Sequence, residues 1–309
     1  MTEMITDLPK LALDWHRVGR GVAIATVVQT WGSAPRPVGS QMVIDADGAM
    51  EGSVSGGCVE AAVIVESQDA IADGQSRVLT FGVSDDDAFA VGLACGGDIK
   101  VLIEPVGTAI PIEVLKRLVT LRGRAEPVAY VTNLETGGPR LFGAPKFPDR
   151  FRLDRSGIAE DGLTFVAIHN PPLRLIVVGA VHIAQALVPM ARIAGYDPTL
   201  IDPREAFGSD SRFPGETILH DWPDEAISRL GLDTRTALVL LTHDPKLDDP
   251  ALEQALRASC FYIGALGSKR THAKRVERLM ASGFTEAEIA QIHGPIGLNI
   301  GASGPAEIA

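Results

Sequence analysis

Leu173-Arg174-Leu175-Ile176-Val177-Val178 leads without interruption into Gly179-Ala180-Val181-His182-Ile183-Ala184. After the glycine, apolar side chains recur at positions 183, 187, 190, 191 and 194, which is the spacing of one helix face. The stretch therefore predicts a buried strand, a tight turn and a helix, the repeating unit of a parallel α/β sheet.

The chain continues the same alternation after this unit. Strands are predicted at residues 199–202, 217–220, 237–242 and 261–266, and helices at residues 223–231, 249–258, 269–282 and 285–291. Pro189 lies inside the first helix, where it should kink the helix or cost about 3 kcal/mol. Together these elements predict a Rossmann-like parallel-sheet domain over residues 172–309.

The residues before Asn170-Pro171-Pro172 are instead rich in glycine and in short strand-like runs. Their pattern predicts helices at residues 8–20, 59–72 and 111–122, and strands at residues 21–30, 40–45, 75–81 and 99–104, with several more within 126–169. A chain of 309 residues is long enough for about two domains. We therefore expect residues 1–171 to form a separate N-terminal mixed α+β domain.

Charge and composition exclude several classes of partner. The formal net charge of −11 argues against nucleic acid or an anionic membrane surface as the main partner. No basic-flanked apolar leader and no apolar run of about 18 residues is present in this sequence, so no membrane span is expected. None of the three cysteines has Cys-x-x-Cys spacing, which argues against a structural zinc site. The protein is expected to be cytoplasmic, with reduced thiols.

The turn after the first parallel strand resembles a dinucleotide-binding fingerprint with one substitution. Gly179 and Ala184 fit its first and third positions, but Val181 stands at the second, where glycine lets the backbone approach a pyrophosphate. Asp202 follows the next strand and suits a ribose hydroxyl, or else it is a turn aspartate before Pro203. Arg204 beside it suits a phosphate.

Two further candidates follow later strands, at the edge where such sheets bind ligands. His243 is either a ligand contact or a structural histidine. Ser268 opens the last long helix and is followed by Lys269 and Arg270. This helix start either binds an anion or is an ordinary capped helix with a solvated basic face.

Two glycine-rich loops in the first half carry cysteines. Cys58 follows Ser55-Gly56-Gly57 and precedes a helix, where unpaired amides favour a thiolate, although Glu60 opposes this effect. Cys95 precedes Gly96-Gly97 and a strand. The two thiols either build one small-ligand site or are small buried hydrophobic side chains, and Cys260 is interpreted as structural.

The remaining unusual loop holds an arginine between two prolines. In Gly32-Ser33-Ala34-Pro35-Arg36-Pro37-Val38-Gly39, the prolines keep Arg36 extended. The arginine is suited to a phosphate or pterin oxygen, or it is a surface residue of a rigid turn.

The order and spacing of these pieces resemble the XdhC/CoxI family of accessory proteins for molybdenum hydroxylases. The resemblance rests on the Arg36 loop, Ser55-Gly56-Gly57-Cys58-Val59-Glu60, Gly92-Leu93-Ala94-Cys95-Gly96-Gly97, the segment from Gly179 to Ala184, Asp202-Pro203-Arg204, Thr242-His243-Asp244, Ile263-Gly264-Ala265-Leu266-Gly267-Ser268 and His293-Gly294-Pro295-Ile296-Gly297. The family's nucleotide loop commonly reads Gly-Ala-Gly-His, whereas Val181 precedes His182 here.

The resemblance implies a cofactor-binding maturation factor rather than a turnover enzyme. Such proteins are thought to bind molybdenum cofactor, support exchange of an oxo ligand for sulfur, and deliver the cofactor to an apo-hydroxylase. A cysteine desulfurase and the apo-enzyme would be partners, and a homodimer is expected. Cys95 and Cys58 are then the reactive candidates, and the cofactor-binding candidates are Arg36, Ser55, Gly56, Gly57, Gly96, Gly97, Gly179, His182, Asp202, Arg204, His243 and Ser268.

Two alternatives remain open at this point. An NAD(P)-dependent oxidoreductase would use Asp202 and the turn at Gly179, with NAD(P) or FAD as cofactor, although Val181 opposes it. In the second alternative, the Rossmann-like domain binds no nucleotide and only docks partner proteins through its acidic surface.

Overall fold

The computed structural model describes residues 7–32, 36–57, 59–82 and 97–309. The chain forms two compact units, Met1–Pro171 and Pro172–Ala309. Within the described ranges, none of the helices combines the length and apolar character that a membrane span requires.

The first unit contains two antiparallel sheets. The larger is built from β1 (Val22–Trp31), β2 (Gln41–Asp45), β3 (Met50–Gly52), β4 (Arg77–Phe81) and β5 (Asp98–Pro105), in the order β3-β2-β1-β5-β4. The smaller is built from β6 (Val128–Asn133), β7 (Gly137–Phe142), β8 (Gly157–Ile158) and β9 (Thr164–His169), in the order β7-β6-β9-β8.

Helices of this unit pack against both sheets. They are α1 (Leu8–Arg17), α2 (Glu60–Asp73), α3 (Ile112–Gly123) and the short α4 (Pro148–Arg152), which follows a single 3-10 turn at Ala144–Lys146. Asp7 begins α1 because its carboxylate accepts a hydrogen bond from the Lys10 amide at 3.2 Å. Gly74 ends α2 in the left-handed conformation, at φ 74°.

Alternating side chains of β1 divide the first unit into two cores. Ala25 and Val27 face α2, where they pack with Val63. Ile24 faces the other way, toward α1, α3 and the smaller sheet, and shares a cluster with Phe165. Because strand side chains alternate between faces, the larger sheet is buried on both sides. The unit is a mixed α+β structure, as the sequence predicts.

The second unit is a parallel sheet. Its strands are β10 (Leu173–Val178), β11 (Tyr196–Ile201), β12 (Ile218–Leu219), β13 (Thr236–Leu240), β14 (Tyr262–Ala265) and β15 (Ile292–His293). They lie in the order β12-β11-β10-β13-β14-β15, and every pair is parallel. This order is that of dinucleotide-binding sheets, with the topological switch point between β10 and β13. The predicted fold class is confirmed, and β15 adds a strand that the sequence pattern does not indicate.

The helices of the second unit follow the predicted alternation. They are α5 (His182–Ile193), α6 (Pro223–Leu230), α7 (Pro245–Leu256), α8 (Lys269–Ala281), α9 (Glu286–Ile289) and α10 (Pro305–Ile308). Helix α5 continues through Pro189. Helix α7 begins earlier than predicted, because Asp244 accepts a hydrogen bond from the Lys246 amide at 3.0 Å. Pro245 then occupies the first turn, where a missing N–H costs nothing.

Both faces of the parallel sheet are buried. Ile176 and Val178 pack against α6, α7 and α8, while Leu175 and Val177 pack against α5. A strand that is covered on both faces needs apolar residues at consecutive positions, which explains the uninterrupted aliphatic run in β10.

Candidate functional site

Two of the predicted loops are attached at one end of the five-stranded sheet. Trp31 ends β1 and pairs with Asp98, the first residue of β5. Phe81 ends β4 and pairs with Ile99. Both flanks of the segment that carries Cys95 therefore lie beside the point where β1 ends and the Arg36 loop begins.

The third loop starts toward the same end of the sheet. Gly52 ends β3 and pairs with Met42 near the start of β2, so the chain leaves β3 in the direction in which β1 ends. Val54 and Val59 belong to the same core cluster as Ile99, and Phe81 packs against it. The flanks of both cysteine loops thus share one core, as a single site would require.

Three of the candidate residues fall outside the part of the chain that the structure describes. They are Cys58, Cys95 and Gly96. Their proposed roles stay predictions.

Glu60 is the internal partner of the Cys58 loop. It is the first residue of α2 and is buried. Its Oε1 accepts hydrogen bonds from the Ser53 hydroxyl at 2.8 Å and from three backbone amides, those of Val54 at 3.2 Å, Ser55 at 2.9 Å and Gly56 at 3.0 Å. Its Oε2 accepts from the Gly57 amide at 2.9 Å and from the Ser55 hydroxyl.

This network changes the role that the sequence suggests for the loop. Burial acts to raise the pKa of Glu60, but hydrogen bonds from Ser55 and Ser53 outweigh it and lower the pKa to about 2. The carboxylate is therefore ionised at neutral pH, with loop donors offsetting its charge. The amides of Ser55, Gly56 and Gly57 are already engaged, so they are not spare donors for a ligand anion.

The other described candidates near this end are accessible. Gly56 and Gly57 are exposed and have φ angles of 81° and 116°, which favour glycine. A Cβ on Gly57 would meet no atom of the described residues within 4 Å, so these residues leave the backbone open to close approach. Gly97 is half-buried directly before β5, and Arg36 is exposed.

In the second unit, the candidates gather at the carboxyl edge of the parallel sheet. Gly179 follows β10, and Thr242 and His243 follow β13. A Cβ on Gly179 would lie 2.6 Å from Thr242 Cγ2, and the glycine has φ 109°. Position 179 therefore requires glycine, because the segments after β10 and β13 lie too close together there for a larger residue.

Asp202 is fully engaged by protein donors. Its Oδ1 accepts from the Arg204 amide at 3.0 Å and from Arg204 Nε at 2.8 Å. Its Oδ2 accepts from Arg204 Nη2 at 2.7 Å and from the Ala180 amide at 2.9 Å. A carboxylate has about four acceptor positions, and Asp202 has no exposed surface. The geometry favours the turn-forming role over the ribose contact, because Asp202 joins β11 to the Gly179 turn.

The turn before α5 contacts an arginine from a distant segment, although no side chain of the described residues caps the helix. Val181 is half-buried and packs on the core beside α5, while His182 is exposed. Arg212 Nη1 donates to the Ala180 carbonyl at 2.9 Å. Arg204 stacks on the Phe207 ring at 4.0 Å. The sequence does not indicate Arg212, since no local motif marks a contact that spans 32 residues.

His243 and Ser268 lie at the same edge with different engagements. His243 is exposed. Ser268 accepts a hydrogen bond from the Thr271 amide at 3.1 Å and thereby caps α8. Capping uses one acceptor of the serine hydroxyl, so the geometry matches the capped-helix interpretation.

Two buried polar networks are not indicated by the sequence. Glu104 Oε1 accepts from the Tyr130 hydroxyl at 2.8 Å and from Thr132 Oγ1 at 3.3 Å, and burial raises the pKa of Glu104 to about 7. In the second unit, Asp248 accepts from the Thr242 hydroxyl and pairs with buried Arg275 at 3.4 Å. Glu104 and Tyr130 come from distant segments, as do Asp248 and Arg275, so no spacing in the sequence reveals these contacts.

The described part of the chain shows the surroundings of Cys260 and of the side chains that could bind a metal ion. Cys260 is half-buried, and burial raises the pKa of its thiol to about 11, which agrees with a structural role. Residues 7–32, 36–57, 59–82 and 97–309 contain no group of three His, Cys, Asp or Glu side chains that could hold a metal ion.

Known proteins resemble this chain over nearly its whole length. Residues 175–309 match the XdhC Rossmann domain, and residues 15–82 match the XdhC and CoxI family. The Escherichia coli K12 protein named molybdenum cofactor insertion chaperone PaoD is 33% identical, over 96% of this chain and 83% of PaoD. A Bacillus subtilis 168 protein, named as a probable xanthine dehydrogenase subunit, is 29% identical over 93% of this chain and 89% of its own length.

A solved structure has the same fold. The crystal structure described as a xanthine dehydrogenase from Bacillus halodurans superposes with a TM-score of 0.77 at 25% identity, covering 98% of this chain and 92% of that chain. The sequence identity, the matched domains and the common fold lead to one assignment: this chain belongs to the XdhC and CoxI family.

Proposed function

We propose that this protein is a molybdenum cofactor insertion chaperone. It binds the cofactor as cargo, supports replacement of an oxo ligand by sulfur, and delivers the cofactor to an apo molybdenum hydroxylase. The observation that carries the proposal is the 33% identity over 96% of the chain to a protein named for this role.

The end of the five-stranded sheet is the proposed cargo site. Molybdenum cofactor combines a flat pterin, a dithiolene that holds the metal, and a phosphate. Gly56 and Gly57 are exposed directly before Cys58 in the sequence, and exposed Arg36 suits the phosphate of the cargo. Because Glu60 holds the loop amides, recognition falls to side chains and to the backbone surface that faces away from Glu60.

Cys58 and Cys95 are the proposed thiol contacts with the metal end of the cargo. Both occur in glycine-rich segments whose described flanks share one core. Thiolates are suitable ligands for a soft metal centre. The sulfur itself would come from a partner, for which we propose a cysteine desulfurase, and we propose a homodimer as the working form.

An NAD(P)-dependent oxidoreductase fits the geometry of the second unit less well than the chaperone role fits the chain. The Asp202 carboxylate is saturated by Ala180 and Arg204, and Val181 occupies the position of the second fingerprint glycine.

Cofactor retention tests the proposal. The protein is purified without oxygen from cells that make molybdenum cofactor, and molybdenum is measured by mass spectrometry and oxidised pterin by fluorescence. We expect near-stoichiometric molybdenum and pterin in the wild type, a large loss in Cys95→Ala and Cys58→Ala, and no loss in the matched control Cys260→Ala. An empty wild-type protein that also fails to take up added cofactor would refute the proposal.

A further inference from the structure

A cleft opens in the first unit on the face of β1 that points away from α2. Its volume is about 670 Å³, which lies within the usual range for small-molecule sites. One wall is the end of β1 (residues 28–30) together with Pro37 and Val38. The other wall comes from α4 and the segment that follows it as far as Ile158.

The far wall is held rigidly. Arg150 Nη1 donates to the Gly157 carbonyl at 3.0 Å, and Arg150 Nη2 donates to the Ile158 carbonyl at 3.1 Å. The two walls also approach each other closely, since a Cβ on Gly39 would lie 3.1 Å from Ser156 Oγ. The cleft is therefore formed by the fold itself and does not need a ligand to shape it.

The charged side chains at the cleft differ in whether another residue already binds them. Asp149 and Asp154 line it, but Asp149 pairs with Arg152 at 3.2 Å and Asp154 accepts a hydrogen bond from Asn170. Arg155 also lines the cleft, is exposed, and forms no ion pair with any residue in the described ranges. Two carboxylates and two guanidinium groups line the cleft, so its formal charge is zero although the protein carries a net charge of −11. Exposed Arg155 is a cation that an anionic ligand can reach there.

A second cation and an aromatic ring are neighbours in the chain of residues that line the cleft. Arg36 precedes the lining residue Pro37 and, among the described residues, has no ion-pair partner either. Trp31 is 51% exposed at the end of β1. Its side chain lies on the same face as that of the lining residue Gln29, because strand side chains alternate. An exposed indole at a cleft rim is a suitable stacking surface for a flat heterocycle.

We propose that this cleft binds the phosphorylated pterin of the cargo, with the pterin ring on Trp31 and the phosphate on Arg155 and Arg36. This inference rests on the proposed function and locates the organic part of the cargo. The cleft opens at the same end of β1 from which the cysteine segments depart.

Equilibrium dialysis with three probes tests the site without the labile metal cofactor. The probes are neopterin monophosphate, neopterin and cytidine monophosphate, each applied to the full-length protein. We expect Arg155→Ala and Trp31→Ala to weaken binding of neopterin monophosphate about tenfold each, as for one charge-assisted hydrogen bond and one stacked ring. Matched controls are Arg117→Ala and Trp222→Ala, which alter an exposed arginine of α3 outside the lining and an exposed tryptophan of the second unit.

The probes separate the parts of the ligand. Neopterin without phosphate should bind wild type and Arg155→Ala equally, but should still depend on Trp31. If cytidine monophosphate binds as tightly as neopterin monophosphate and depends on Arg155 and Trp31 alike, the site belongs to a nucleotide and the pterin assignment is wrong. Equal affinity of all variants for neopterin monophosphate would also overturn the inference.

Cofactor retention distinguishes this inference from the proposed function. If wild type, Arg155→Ala and Trp31→Ala retain molybdenum and pterin equally, the chaperone proposal stands and the cleft assignment fails. If the pterin probes bind in the cleft but the wild type retains no molybdenum, the cleft assignment stands and the chaperone proposal fails. Both substituted residues are exposed, and thermal unfolding verifies that the variants fold.

Discussion

Ser55 donates a hydrogen bond to each of the two oxygens of the Glu60 carboxylate. Glu60 Oε1 accepts from the Ser55 amide at 2.9 Å, while Oε2 accepts from the Ser55 hydroxyl. The Ser55 hydroxyl also accepts a hydrogen bond from the Val59 amide at 3.0 Å, so the loop and the start of α2 form one unit. The glycine-rich loop is therefore shaped by a charge within the protein and not by a bound anion.

Replacement of Glu60 by glutamine should destabilise the protein. The substitution keeps the size of the side chain but removes the charge and turns one acceptor into a donor that faces other donors. We expect Glu60→Gln to lower the free energy of unfolding by about 2–3 kcal/mol, as is typical for hydrogen bonds to a charged group. Urea unfolding at pH 7 measures the difference.

The acid range provides a control for the Glu60 prediction. The folded pKa of about 2 lies below the ordinary value of 4.5, so this carboxylate stabilises the fold above pH 4.5 and the contribution is lost as the pH falls toward 2. The difference between wild type and Glu60→Gln should therefore shrink over that range. A difference that stays constant with pH would contradict the role of the charge.

Glu104 should show the opposite pH dependence. Its folded pKa of about 7 lies above the ordinary value of 4.5, so its contribution to stability is complete below pH 4.5 and is lost as the pH rises through 7. The shift corresponds to about 3 kcal/mol. Because glutamine does not ionise, we expect the stability of Glu104→Gln relative to wild type to increase by about that amount between pH 5 and pH 8, measured by urea unfolding. Parallel curves for the two proteins would contradict the buried charge.

The second unit should not bind a nicotinamide dinucleotide even when the fingerprint glycine is restored. In Val181→Gly, Asp202 remains saturated by Ala180 and Arg204, so no acceptor is available for a ribose hydroxyl. We expect isothermal titration with NAD at millimolar concentration to show no binding to wild type or to Val181→Gly. Micromolar binding by the variant would mean that Val181 alone blocks the site.

Gly179 should tolerate alanine poorly compared with a glycine in open space. Alanine at Gly179 combines φ 109° with a Cβ contact of 2.6 Å to Thr242 Cγ2. Gly215 has φ 77°, and a Cβ added there would meet no atom of the described residues within 4 Å, so Gly215→Ala carries the backbone strain of about 1–2 kcal/mol without that contact. Thermal unfolding should show a clearly larger loss for Gly179→Ala. Equal losses would indicate that Thr242 moves aside freely.

The sequence determined the second unit because its signals are local. The aliphatic run of β10, the glycine turn and the helical stripe of α5 each specify a conformation through neighbours within a few residues. Their alternation then selects a parallel sheet, and the order β12-β11-β10-β13-β14-β15 follows that plan. Helix α7 begins before the predicted start at residue 249, because Asp244 caps it and Pro245 occupies its first turn.

The candidate site depended more strongly on tertiary structure. The sequence identified the glycine loops and Arg36, since glycine between strands and arginine between prolines are unusual locally. It did not reveal that Asp202 would be saturated by Arg204, nor that Glu60 would accept the amides of its own loop.

The sequence by itself determined the alternation of strands and helices in the second unit and the residue classes at each loop. Only the tertiary structure decided which polar groups remain available. Arg155, beside the end of β1, has no ion-pair partner among the described residues. The carboxylates of Asp202 and Glu60, in contrast, accept hydrogen bonds from other groups of the protein. The physical reason is that a hydrogen bond depends on distance and direction between atoms, and residues far apart in the chain acquire both only when the strands that carry them are packed together.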